Sequence, residues 1–134
     1  MREILFRGKM ENGLWRIGYL SFEDKITIKR KCYDYKGDYA TTSIEEYKID
    51  KNTIGQFTGL TDKNGKKIFE GDIVQGTIVS AWNKALIRCE VVYNKDGFIS
   101  VERTRNQDWV HKVKFAKDIE VIGNIHDNPE LLGE

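Results

Sequence analysis

The feature that most limits what this chain can fold into is its punctuation. Asn12-Gly13, Lys36-Gly37-Asp38, Asn64-Gly65 and Asn94-Lys95-Asp96-Gly97 separate runs of alternating residues. Asn, Asp and Gly tolerate the positive φ of tight hairpin turns, so each cluster marks a place where a strand reverses. Between them, Trp15, Ile17 and Tyr19 fall on one face of a strand, and Leu14, Leu20 and Phe22 on the other. That arrangement suits burial on two sides. Ile87, Cys89, Val91 and Tyr93 alternate in the same way before the Asn94–Gly97 turn and Phe98-Ile99-Ser100-Val101, which predicts a hairpin. Trp109, His111, Val113 and Phe115 predict another strand, and Ile119, Val121, Gly123 and Ile125 a further one. Ser43-Ile44-Glu45-Glu46 fits a capping box, and the Tyr47-Lys48-Ile49 that follows fits a strand equally well. No window sustains the i, i+3, i+4, i+7 apolar spacing of a long helix. The only proline, Pro129, follows Asp127-Asn128 and predicts a short C-terminal helical turn with proline in its first position. The fold class is mainly β.

Charge supplies the next constraint. The 134 residues carry 22 Lys+Arg against 21 Asp+Glu, which rules out a uniformly basic protein but not a basic face. Residues 76–117 hold eight basic and four acidic groups, and residues 118–134 hold five acids with no Lys or Arg. A change of composition near Lys51-Asn52-Thr53 predicts two parts: an N-terminal β subdomain over 1–53 and a second subdomain over 54–134. No run approaches 18 apolar residues and the start lacks a signal-peptide core, so the expected partner is not a membrane and the expected location is the cytoplasm. Cys32 and Cys89 form no CxxC pair, which suits two reduced thiols acting as small hydrophobes.

Hydrolytic chemistry needs convergent carboxylates or a nucleophile with its base. Asp62, Glu70 and Asp72 lie close in sequence, but each sits in a turn or beside glycine, where acids usually cap backbone amides. His111 alternates with strand residues, and His126 precedes the terminal turn. Phosphate-cradling loops and metal-protease motifs are absent, so neither a catalytic site nor a cofactor or metal site is expected. A nucleic-acid surface has more support, because basic residues interleaved with aromatics can neutralise phosphates and stack bases. Its candidates are Lys29, Arg30 and Lys31 beside Tyr33 and Tyr35, then Trp82, Lys84, Arg88, Arg103, Arg105, Lys112 and Lys114.

The run Thr53-Ile54-Gly55-Gln56-Phe57-Thr58-Gly59-Leu60-Thr61-Asp62-Lys63-Asn64-Gly65, continuing to Glu70-Gly71-Asp72-Ile73-Val74, resembles the signature of the YopX family. The opening Met1–Arg7 and the closing Glu120-Val121-Ile122-Gly123-Asn124-Ile125 with Asn128-Pro129-Glu130-Leu131 are similar to that family as well. The resemblance implies a phage- or prophage-encoded protein of Gram-positive bacteria, residing in the host cytoplasm, with an SH3-like barrel in its C-terminal part. It carries no activity to transfer to particular residues. Within the motif, Gly59 and Gly65 can supply positive φ on either side of Asp62, which makes folding the first explanation of the motif. The expected function is a non-catalytic binding or assembly module that self-associates and meets a phage or host protein. The alternative is a nucleic-acid-binding β-barrel protein acting in phage DNA or RNA metabolism.

Overall fold

The turn signals and alternating runs become eleven β-strands and one short 3-10 helix in the computed structural model, among described residues 4–22, 26–79, 81–82, 84–94, 97–103, 108–112 and 118–132. The chain divides into two compact units, Met1–Gln56 and Phe57–Glu134.

In the first unit, strands β1 (Phe6–Lys9), β2 (Trp15–Ser21), β3 (Thr27–Lys36), β4 (Tyr39–Lys48) and β5 (Asp50–Thr61) are ordered β4-β3-β2-β1-β5. Asn12-Gly13 turns β1 into β2: Gly13 donates its N–H to the Met10 carbonyl at 2.9 Å, and the Asn12 carboxamide accepts from Leu14 N–H at 3.0 Å. Gly37-Asp38 is the two-residue turn between β3 and β4, which then pair without a register shift from Lys36↔Tyr39 to Thr27↔Lys48. The Ser43–Glu46 segment is therefore strand and not a helix start. Pairing with a ten-residue neighbour satisfies its backbone throughout, whereas a capping box satisfies only the first turn. Little of this unit is deeply buried. Among its described residues only Ile28 and Ile49 are buried hydrophobics. Tyr19 and Phe22 are exposed, so the β2 strand is not covered on two sides.

The second unit takes up the end of β5, where Phe57 pairs with Phe69 and Thr61 with Lys67 of β6 (Lys67–Phe69). Its main sheet holds β7 (Asp72–Val79), β8 (Lys84–Asn94), β9 (Gly97–Arg103), β10 (Asp108–Lys112) and β11 (Glu120–Asn124), in the order β10-β9-β8-β7-β11. The β8–β9 hairpin follows the alternation in sequence, with Asn94 opposite Gly97. Of the run Trp109–Phe115, residues 109–112 lie in β10 and 113–115 fall outside the described residues. The core gathers Ile68, Val74, Cys89, Val91 and Ile119, with Leu60, Ile87, Phe98 and Val121 packed around them. Burying each such aliphatic side chain contributes about 1.5–3 kcal/mol. Among the described residues this sheet is open, with β10 and β11 as its edges, and no pairing closes it into a barrel.

The last described element is the 3-10 helix Pro129–Leu132, with proline first as its fixed φ favours. The Asn124 carboxamide accepts from His126 and Asp127 N–H at 3.0 and 2.9 Å, folding the chain back before that helix. Gly123 leaves room for this return. A Cβ there would stand 2.6 Å from Asn128 Oδ1 and 2.9 Å from Leu131 Cδ1.

Candidate functional site

Two of the three acids of the central motif, Asp62 and Asp72, have local duties. Asp62 is buried, and its Oδ1 accepts from Asn64 and Lys66 N–H, both at 2.9 Å. Its Oδ2 accepts from Val121 N–H in β11 at 3.0 Å. One carboxylate thus closes the Asp62–Lys66 turn and fastens it to a strand 59 residues away. Burial pushes its pKa up, but the three backbone donors, from Val121, Lys66 and Asn64, outweigh this and hold it below the ordinary value. Gly59 and Gly65 adopt φ of +88° and +82° on either side, so the turn needs residues without a Cβ. Asp72, also buried, accepts Phe69 N–H at 2.7 Å and so shapes the β6–β7 turn. Glu120 binds the outside of the same motif, reaching Asn64 at 3.3 Å and Lys63 at 3.8 Å. Among the described residues no group of three His, Cys, Asp or Glu is placed to hold a metal ion.

Elsewhere, Asp118 accepts from Thr77 N–H and Oγ1 at 3.0 and 2.7 Å; these bonds hold its pKa below the ordinary value. Burial pushes the Cys89 thiol up to about 12, with Glu102 adding to the shift, so Cys89 behaves as a hydrophobe and not as a nucleophile. Cys32, the other free thiol, is also raised, by desolvation first and by Glu45 next. A cleft of about 440 Å³ in the first unit is lined by Met10, Glu11, Asn12, Lys48, Ile49 and Asp50. Its charged residues are exposed, and Asp50 accepts Asn52 N–H at 3.0 Å.

The candidate cations are distributed over both units. Lys29, Arg30 and Lys31 lie on β3 in the first. Lys29 pairs with Glu46 at 3.5 Å, Arg30 stands opposite Glu45, and Lys31 Nζ lies 5.7 Å from the centre of the Tyr33 ring. In the second unit Trp82 is 96% exposed between β7 and β8, and Lys84 and Arg88 lie on β8. Arg88 donates to Gln75 Oε1 at 3.0 Å and to the Leu131 carbonyl at 3.5 Å, which commits it to the fold. Arg103 ends β9 and Lys112 ends β10. Arg105 and Lys114 lie outside the described residues.

The pairing also assembles a surface that sequence reasoning did not single out. Opposite residues of an antiparallel pair share a face. The registers Tyr19↔Lys29, Lys31↔Ile44, Tyr33↔Thr42 and Tyr35↔Ala40 therefore set Tyr19, Tyr33, Tyr35 and Ile44 on one face of the first sheet. Tyr33 and Tyr35 stack with ring centres 6.4 Å apart. They are 56% and 76% exposed, and Ile44 is 70% exposed. The signal available in the sequence was the run Tyr39-Ala40-Thr41-Thr42-Ser43-Ile44, which combines strong β-propensity with no charge.

Two antiparallel β units, with Asp62 and Asp72 bound into turns of the second and a broad exposed face on the first, define a β-sheet protein of tightly tied hairpins. The family model described as YopX protein matches residues 5–133, and the chain belongs to that family. Among solved structures it is similar to protein EF1440 from Enterococcus faecalis, with 24% identity and a TM-score of 0.62 over 98% of this chain and 99% of that one. That likeness shows a shared fold. No curated protein matches the chain.

Proposed function

We propose that this YopX-family protein is a non-catalytic binding and assembly module that self-associates through its first unit. The observation that carries this reading is the inverted burial of that unit. Ile28 and Ile49 are its buried hydrophobics among the described residues, while Ile17, Tyr19, Tyr33, Tyr35 and Ile44 stand exposed on one sheet face. Exposure of several large apolar side chains on one face, here bordered by the Lys29–Glu46 pair and Lys31, marks an interaction surface. The motif acids Asp62 and Asp72 hold backbone amides, which gives a folding role to the residues best suited to hydrolysis. Among the described residues no helix is long and apolar enough to cross a membrane. Light scattering at tens of micromolar is expected to give a mass that is a multiple of 15.6 kDa; a monomer throughout that range overturns the reading.

Nucleic-acid binding, in a phage's DNA or RNA metabolism, is the second reading, and one observation favours it. Lys31 over Tyr33, with Tyr35 stacked beyond, is the combination that holds a single strand. The rest of the β3–β4 ribbon weighs against it. Its five cations, Lys29, Arg30, Lys31, Lys36 and Lys48, are met by Asp34, Asp38, Glu45 and Glu46. A charge so nearly balanced gives little phosphate neutralisation.

A further inference from the structure

We infer that the partner of the first unit is a second copy of this chain, joined edge to edge along β4 in an antiparallel register centred on Ser43. The inference rests on the self-association proposed above and places its joint at the β4 rim of the exposed face, which the joint extends and does not cover. Among the described residues β4 is the last strand of its sheet, so one side of it carries main-chain groups with no partner there. Lys36↔Tyr39 closes a two-residue turn and is therefore a hydrogen-bonded pair. Bonded and non-bonded pairs alternate from there, so Tyr39, Thr41, Ser43, Glu45 and Tyr47 bond inward to β3. Ile49, in the same phase, donates its N–H to the Ile26 carbonyl at 3.4 Å. Ala40, Thr42, Ile44, Glu46 and Lys48 consequently direct N–H and C=O groups outward.

Proteins normally guard such an edge with proline, lysine, a bulge or brevity. β4 has ten residues, pairs without a bulge, and holds neither proline nor charge from Tyr39 to Ile44. The charges at its margins choose the partner and the register. A two-fold axis at Ser43 sets Asp38 opposite the partner's Lys48, Tyr39 opposite the partner's Tyr47, and Thr42 opposite the partner's Ile44. Every outward-directed residue then meets an outward-directed residue, as an antiparallel ladder requires. Sliding two residues toward the turn opposes Asp38 to the partner's Glu46, a like-charge pair that destabilises. Sliding two residues the other way carries Tyr39 past the end of the partner strand. A strand complementary to itself makes an isologous dimer, and the exposed face with Tyr33, Tyr35 and Ile44 runs on across the joint.

Two measurements test this against the full chain. Thr42→Pro removes an outward N–H and no β3–β4 bond, so the mass by light scattering is expected to halve while the strand signal in circular dichroism is kept. Ser43→Cys is placed in a Cys32→Ser background, because Cys32 faces Ser43 within the hairpin. The two introduced thiols meet at a non-hydrogen-bonded pair about 4.5 Å apart between Cα atoms, within the range of about 4.4–6.8 Å that disulfides span. With an added thiol oxidant a disulfide-linked dimer is expected. Thr41→Cys in the same background leaves its thiols about 13 Å apart along the strands and is expected to stay unlinked. A wild-type monomer overturns self-association itself. A dimer that survives Thr42→Pro and fails to link at position 43 overturns the edge alone, and linking at 41 overturns the register. Should Thr42→Pro unfold the chain, the two cysteine variants still decide.

Discussion

Asp62 shows how one side chain can account for a whole sequence motif. It serves three amides with two oxygens, and the glycines around it permit the turn that brings those amides within reach. Asp62→Asn keeps the shape but directs an amide nitrogen at one of these donors. Its cost at neutral pH is expected to be about 1–3 kcal/mol, the range for leaving a buried donor unsatisfied, short of a full sum because Asn64 and Lys66 lie in an exposed turn. The pH dependence follows from the lowered pKa of the folded state. Such a carboxylate stabilises the fold above its unfolded pKa of about 3.9, and that contribution is lost as pH falls through the folded value. The gap between wild type and Asp62→Asn, measured by urea midpoints, is therefore expected to narrow as the pH drops below about 4. A gap independent of pH would mean that the charge contributes nothing.

Elements depend on close approaches as much as on propensity. The β11 strand and the 3-10 helix fold onto one another because Gly123 leaves room for the Asn128 side chain and for Leu131. Gly123→Ala is expected to cost about 1–3 kcal/mol, as overpacking does. In the double variant Gly123→Ala/Asn128→Ala the losses should fall below the sum of the singles, since the second change removes the nearest atoms the new methyl would strike, leaving only the Leu131 contact. Thermal denaturation of the four proteins checks this, and strict additivity would place the strain elsewhere. The strands themselves were legible because β8 and β11 carry their alternation openly, and Pro129 can occupy only the first turn of a helix. β4 was not legible. Its Ser-Ile-Glu-Glu run satisfies a helix rule locally, and only ten paired residues of β3 decide for strand.

At the scale of the whole molecule, the charge balance predicts how assembly responds to salt. An edge-to-edge joint is made of main-chain bonds, with two Asp38–Lys48 contacts at its margins. Its dissociation constant is expected to change by less than about thirtyfold between 50 mM and 1 M salt, because two exposed ion pairs contribute about 1 kcal/mol or less each. A nucleic-acid complex would behave oppositely, losing about 10³-fold or more over a much smaller salt range when six phosphates are neutralised. Light scattering and fluorescence anisotropy across that series separate the two readings. Steeply salt-dependent self-association would count against the edge.

The sequence by itself determined where the chain turns, that it is built of strands, and which family it resembles. Turn chemistry and period-two alternation act over a few residues, so no distant partner can rewrite them. Tertiary structure alone decided that the Asp62 carboxylate reaches Val121, that Arg88 is held between Gln75 and Leu131, and that Tyr33, Tyr35 and Ile44 face outward together. Each of these depends on the register between strands and on what lies over a sheet face. A tyrosine in an alternating strand looks the same in sequence whether its face meets core or solvent.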